Sequence, residues 1–165
     1  MRGRYRCMDD WKQDRIRSAE RGENPMTLTR MRSGFAVIGD DQFLPGYCLL
    51  LASPRVDHLT DLPLTQRSVY LQDMSLTGEA IMQVCAPLRM NHEILGNFDH
   101  YLHAHIFPRY AWEPDERREH PIWLYPKPAG GGPRSPYSEE THGTLRRQLT
   151  TTLLTCMQTH DALPE

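Results

Sequence analysis

The chain has little that would tie it to a metal, a membrane or a long nucleic acid. Its four cysteines, Cys7, Cys48, Cys85 and Cys156, are widely separated and form no C-x-x-C pair. That spacing argues against a cysteine-based zinc site and against a dense disulfide framework, and it suits reduced, buried thiols. No apolar run approaches the roughly 18 residues that a membrane span needs. No hydrophobic segment follows the basic tip Arg2, Arg4 and Arg6, so a secretory leader is not expected and the cytoplasm is the default compartment. The formal net charge of -2 gives no broad attraction to nucleic acid. There is no internal repeat.

What is present is an ordinary globular composition in 165 residues, 39% hydrophobic and 24% charged. That is about one domain, long enough to bury a substantial core. Residues 5–21 contain no glycine or proline and carry a partial apolar stripe, which predicts a peripheral helix. Thr27 to Met31 and Phe35 to Ile38 read as two strands around a turn. Tyr47 to Ala52 is almost continuously apolar, as a central strand covered on both faces requires. Thr65 to Ala86 predicts a long helix, in which Gly78 is the weak point where a kink or break could fall. Strands are expected at Met90 to Leu95 and Tyr101 to Phe107.

After Pro108 the character changes. Pro121 to Pro126 is an apolar patch bracketed by prolines. Residues 127–138 have a flexible-linker composition, and Ser138 is a good N-cap for a last helix over Glu139 to His160. The expected organisation is a main domain over 1–126, a Gly/Pro-rich linker over 127–138, and a C-terminal helix and tail over 139–165. Short turns between strands and one long crossover helix imply an α+β fold with an antiparallel sheet, flanked by N-terminal and C-terminal helices.

The chemistry lies in Tyr101-Leu102-His103-Ala104-His105-Ile106-Phe107. On a strand, Tyr101, His103 and His105 share one face, and Leu102, Ala104 and Ile106 share the other. Such a strand has an apolar back and imidazoles in front. Neutral imidazole is a nucleophile and its N–H is a donor, which suits attack at phosphorus beside charged oxygens. A metal site built from His100, His103, His105 and Asp99 is disfavoured, because neighbouring strand positions do not converge on one ion.

This segment resembles the histidine-triad (HIT) motif, His-φ-His-φ-His-φ-φ with φ apolar, except that Tyr101 stands at the first histidine position. Gly96-Asn97, Pro108-Arg109, and Pro45-Gly46 leading into an apolar strand before Pro54 and His58 resemble the same superfamily. The overall character is similar to its dinucleoside polyphosphate hydrolase-like branch, over roughly residues 27 to 125. The resemblance implies a nucleophilic His103 that attacks an α-phosphate, with His105 and Asn97 supporting the phosphoryl oxygens. It implies substrate contacts from Asn91, Tyr101, His58 and Arg109. It places the ribose on Asp40, or on Asp41 if the turn carries one more residue. It also implies a homodimer acting on a nucleotide, with no required cofactor. A Mg²⁺ ion could travel with a polyphosphate substrate. Tyr101 leaves two other outcomes open: a nucleotide-binding module without turnover, and a pathway-specific enzyme that uses the same platform on another substrate.

Overall fold

The computed structural model describes residues 10–165. The first turns of the helix expected over 5–21, the basic tip and Cys7 lie outside the described residues. The described part of that helix is shorter than expected: a 3-10 turn at Asp10–Lys12, then α1 over Arg15–Glu20. Asp14 separates the two, because its carboxylate accepts the Arg17 N–H at 3.0 Å and so starts a new helix.

Five strands come next in the chain: β1 (Thr27–Met31), β2 (Gly34–Ile38), β3 (Cys48–Ala52), β4 (Arg89–Glu93) and β5 (His103–Arg109). They form one antiparallel sheet in the order β1-β2-β3-β5-β4. The long crossover is α2 (Leu64–Cys85), which links β3 to β4 and leaves room for β5 between them. A four-residue α3 (Asp115–Arg118) and the C-terminal α4 (Glu139–Thr159) complete the α-helices among the described residues.

One face of the sheet is dry. Leu50, Ala104 and Ile106 are fully covered, and they belong to one core with Tyr70 and Ile81 of α2 and with Leu149, Leu153 and Met157 of α4. The four-residue leucine spacing of α4 is therefore used for packing onto the body of the protein. Arg146 also ties that helix to β1 by donating to the carbonyls of Pro25 and Thr27, at 3.1 and 3.2 Å. Ser138 caps α4 as expected, accepting the Thr141 N–H at 3.2 Å.

Two expectations differ from the structure. Gly78 neither kinks nor breaks α2, which is continuous from Leu64 to Cys85. It gives clearance: a Cβ there would stand 2.5 Å from Nε2 of His92 on β4, so any side chain would displace that exposed ring. The last strand begins at His103, two residues later than its alternation suggests. Before it, the Tyr101 N–H bonds the Asp99 carbonyl in a turn, and the Leu102 N–H bonds the carbonyl of Val56 outside the strand ladder.

The Gly/Pro-rich segment runs across the end of the sheet. The Asp41 carboxylate accepts the N–H groups of Arg134 and Ser135 at 2.8 and 2.9 Å. The Gln42 N–H bonds the Ser135 carbonyl, and the Tyr137 N–H bonds the Asp40 carbonyl. Composition gives this stretch a linker's freedom, and hydrogen bonds to the β2–β3 turn remove part of it.

Candidate active site

The second face of the sheet carries the histidines. Strand register sets Leu49 beside His105 and Leu51 beside His103, and it sets Val37 beside Leu49. The result is an apolar floor next to two imidazoles. A cavity of about 370 Å³ stands on this floor, and its lining includes Asp40, Tyr47, Tyr101, His103, His105 and Trp123. Arg15 of α1 and the segment 127–134 also contribute to its wall.

A chain of hydrogen bonds fixes the protons. Nδ1 of His103 lies 2.8 Å from the Tyr101 carbonyl oxygen, which can only accept, so Nδ1 carries the hydrogen and Nε2 of neutral His103 is bare. Nε2 of His103 lies 3.1 Å from Nε2 of His105. With His103 in this neutral form, the proton between them belongs to His105. Nδ1 of His105 is then an acceptor, and the Tyr47 hydroxyl donates to it at 2.7 Å. Burial and the neighbouring His103 push His105 down to about 3, so it stays neutral across the physiological range. Tyr47 is itself held as a neutral phenol, chiefly by burial and also by Asp40.

Aromatic packing locks this arrangement. The Tyr47 ring stacks on Phe107 at 4.1 Å between centroids, and Trp123 meets the His105 ring edge-on at 4.8 Å. The Trp123 indole N–H donates to Glu93 on β4. Tyr101 contributes at two levels. Its carbonyl orients His103, and its ring lies 4.9 Å from the His103 ring with the Arg55 guanidinium 5.0 Å away on the ring. The tyrosine at the first triad position thus leaves the orienting acceptor intact, because that acceptor is backbone.

The structure brings His103, His105, Tyr101 and Asp40 together around the cavity. Asp40 faces it already paired, with Arg15 donating to both carboxylate oxygens at 3.0 and 2.6 Å. Asp41 also lines the cavity, but its oxygens accept from the backbone of Phe43, Arg134 and Ser135. The other four residues singled out from sequence lie elsewhere. Arg109 shares the face of His103 and His105 but is buried, paired with Glu113 and bonded to the carbonyls of Arg117 and His120. Asn91 accepts from Arg109 at 2.9 Å. His58 is exposed ahead of the 3-10 turn Leu59–Asp61, and Asn97 is exposed in the β4–β5 loop.

Sequence reasoning passed over Tyr47, Arg15 and Trp123. Tyr47 belongs to an apolar run, and only its placement against β5 exposes its role. Among the described residues, no group of three or more His, Cys, Asp and Glu side chains is arranged to hold a metal ion. No described helix is long and apolar enough to cross a membrane.

No family model matches the chain, and no curated protein matches it. Solved structures do. A histidine triad protein of Marinobacter aquaeolei VT8 aligns at 24% identity with a TM-score of 0.66, covering 79% of this chain and 89% of its own. A histidine triad (HIT) protein of Sinorhizobium meliloti 1021 aligns at 18% identity and TM-score 0.65, covering 81% and 93%. A hypothetical histidine triad nucleotide-binding protein of Sulfolobus tokodaii aligns at 13% identity and TM-score 0.64, covering 86% and 92%. The fold is the histidine triad fold, an α+β architecture on one five-stranded antiparallel sheet.

Proposed function

We propose that the protein is a nucleotide hydrolase or nucleotidyl transferase that acts at an α-phosphate through His103. The carrying observation is the bare Nε2 of His103, fixed by the Tyr101 carbonyl behind it and facing a donor N–H of His105. The dinucleoside polyphosphate and nucleotide-conjugate classes both present the phosphorus that such a nucleophile attacks.

His103 Nε2 attacks phosphorus and forms a P–N bond as the bond from phosphorus to the leaving-group oxygen breaks. The His105 N–H leaves His103 Nε2 and turns to a phosphoryl oxygen, where negative charge accumulates. Water or another acceptor then attacks phosphorus, the P–N bond breaks with its electron pair returning to Nε2, and the acceptor's proton is lost to solvent. Nucleoside monophosphate, or the transferred product, departs and neutral His103 returns. Asp40 takes the ribose hydroxyls as donors, and Val37, Leu49 and Leu51 provide an apolar surface for the base.

The same reading assigns a homodimer through the outer edge of β4. That strand pairs on one side only, and Met82, Leu88, Ile94 and Leu95 are exposed on α2 and around β4. A cytoplasmic location is supported by three free thiols, at Cys48, Cys85 and Cys156.

The test is mass-spectrometric product analysis of wild type beside His103→Ala, on dinucleoside polyphosphates and nucleoside phosphoramidates. Nucleoside monophosphate from wild type alone is the expected result. Equal turnover by a folded His103→Ala protein refutes the mechanism.

A further inference from the structure

Two cavities meet at one arginine. Beside the main cavity lies a smaller one of about 200 Å³, and Arg15, Asp99 and Tyr101 line both. Lys12, Asp14, Arg55 and His100 also line the smaller one, so its wall carries both signs of charge. A phosphate held at His103 beside Tyr101 therefore has Arg15 in the shared wall.

In the tautomers assigned above, the histidine platform offers a phosphate donors and no formal charge. Its hydrogen-bond chain is complete with His103, His105 and Tyr47 all neutral. A phosphate brought out of water onto neutral donors lacks a countercharge, which is costly. The cations of the main cavity are Arg15, Lys127 and Arg134. Arg134 is committed to the segment that carries it: it donates to the carbonyls of Pro126 and Tyr125, and its guanidinium lies 4.1 Å from the Phe43 ring centroid. Arg15 is engaged in a fork-to-fork pair with Asp40 and a contact 5.0 Å over the Trp11 ring.

That pair is partly open to solvent, with side-chain exposures of 27% and 40%, so exchanging it for other partners costs little. The two partners are also the complements of a nucleotide's two polar parts. A guanidinium fork matches phosphate oxygens as well as it matches a carboxylate, and a carboxylate accepts from ribose hydroxyls.

We propose that Arg15 is a phosphate-contacting residue of this site, stored on Asp40 until a nucleotide arrives and then exchanged for the ribose hydroxyls. The proposal rests on the nucleotide reading of the cavity. It assigns α1, which lies outside the segment that resembles the histidine-triad motif, a direct part in substrate recognition.

The test is calorimetric titration of nucleoside 5′-monophosphates and the matching nucleosides into wild type, Arg15→Ala, Arg15→Gln and Lys127→Ala. Arg15→Ala should weaken monophosphate binding by about tenfold to a hundredfold, the cost of one charge-assisted contact. It should leave nucleoside binding equal or tighter, because Asp40 is released. Arg15→Gln keeps a hydrogen bond to Asp40 without the charge and should lose monophosphate affinity likewise, so the result does not hang on how Arg15→Ala folds. Lys127→Ala should lose less than either. If the Arg15 variants bind monophosphate as tightly as wild type, or tighter, Arg15 is a plug and the proposal is overturned. Equal losses for monophosphate and nucleoside overturn it too, since Arg15 then only shapes the cavity. Wild type that binds neither ligand overturns the nucleotide reading and this proposal together; the other outcomes leave that reading standing.

Discussion

Replacing Tyr47 by Phe removes one oxygen from the middle of the site and little else. Tyr47 is 8% exposed and its ring stacks on Phe107, and phenylalanine keeps that stack. What disappears is the 2.7 Å hydrogen bond to Nδ1 of His105. That nitrogen becomes a buried acceptor without a partner, a cost of about 1–3 kcal/mol. The hydroxyl's donation is also what favours a proton on Nε2, so its loss opens the way to the His105 tautomer protonated on Nδ1. Its Nε2 would then present a lone pair to the bare Nε2 of His103 and to any phosphoryl oxygen. The donor required in the transition state is lost from that tautomer. If the whole cost falls on the barrier, kcat drops by roughly 5- to 150-fold while KM changes little. Steady-state kinetics reads the rate, and ¹⁵N chemical shifts of the His105 ring read the tautomer directly. A Tyr47→Phe protein with wild-type kcat and an unchanged His105 tautomer would refute the proton assignment.

Three further outcomes are expected from other parts of the structure. His105 is held at about 3 when folded, against about 6.5 in an unfolded chain, so the unfolded state takes up a proton first as pH falls. The associated stability is complete above pH about 6.5 and is lost below it, about 2–3 kcal/mol by pH about 4.5; denaturation at several pH values should show a shallower acid loss in His105→Gln, and an identical slope would disprove the shift. Gly34→Ala would place a Cβ 1.8 Å from the Leu51 carbonyl oxygen, a backbone clash between β2 and β3 that nothing nearby can yield to. It should cost roughly 2–4 kcal/mol or more in urea unfolding, and wild-type stability would show that the two strands separate easily. Glu113→Gln leaves Arg109 charged in a pair whose side chains are 3% and 1% exposed, so about 3–5 kcal/mol should be lost. If Arg109 were instead a substrate residue, this variant would alter KM and leave the melting temperature unchanged.

Much of the fold was legible because its strands are written in period two and bounded by turn chemistry. Thr27–Met31 is predicted and observed with the same limits, and β2 and β3 differ by one residue at a single end. The helix expected over 5–21 was less legible. Asp14 can be a helix residue or a cap, and its carboxylate caps α1, so only Arg15–Glu20 is α-helical among the described residues of that stretch. Gly78 misled because a helix glycine signals weakness unless the partner strand is known; here it makes room for the His92 ring. The start of β5 misled because alternation continues through Tyr101, while the N–H groups of Tyr101 and Leu102 bond outside the ladder.

The order of residues alone places His103 and His105 on one face and Ala104 and Ile106 on the other, since alternation follows from strand geometry. It also determined the long helix between β3 and β4, and the cap that starts α4. Which distant groups meet those imidazoles depends on how the elements pack. Sheet packing brings Tyr47 to His105, and the placement of α1 brings Arg15 to Asp40. The fold behind β5 binds Arg109 to Glu113 and Asn91, although its sequence position beside the motif suggested a phosphate contact. The difference is one of range. Local periodicity encodes which way a side chain points, but partners 25 residues apart, like Arg15 and Asp40, are chosen by packing that no local pattern records.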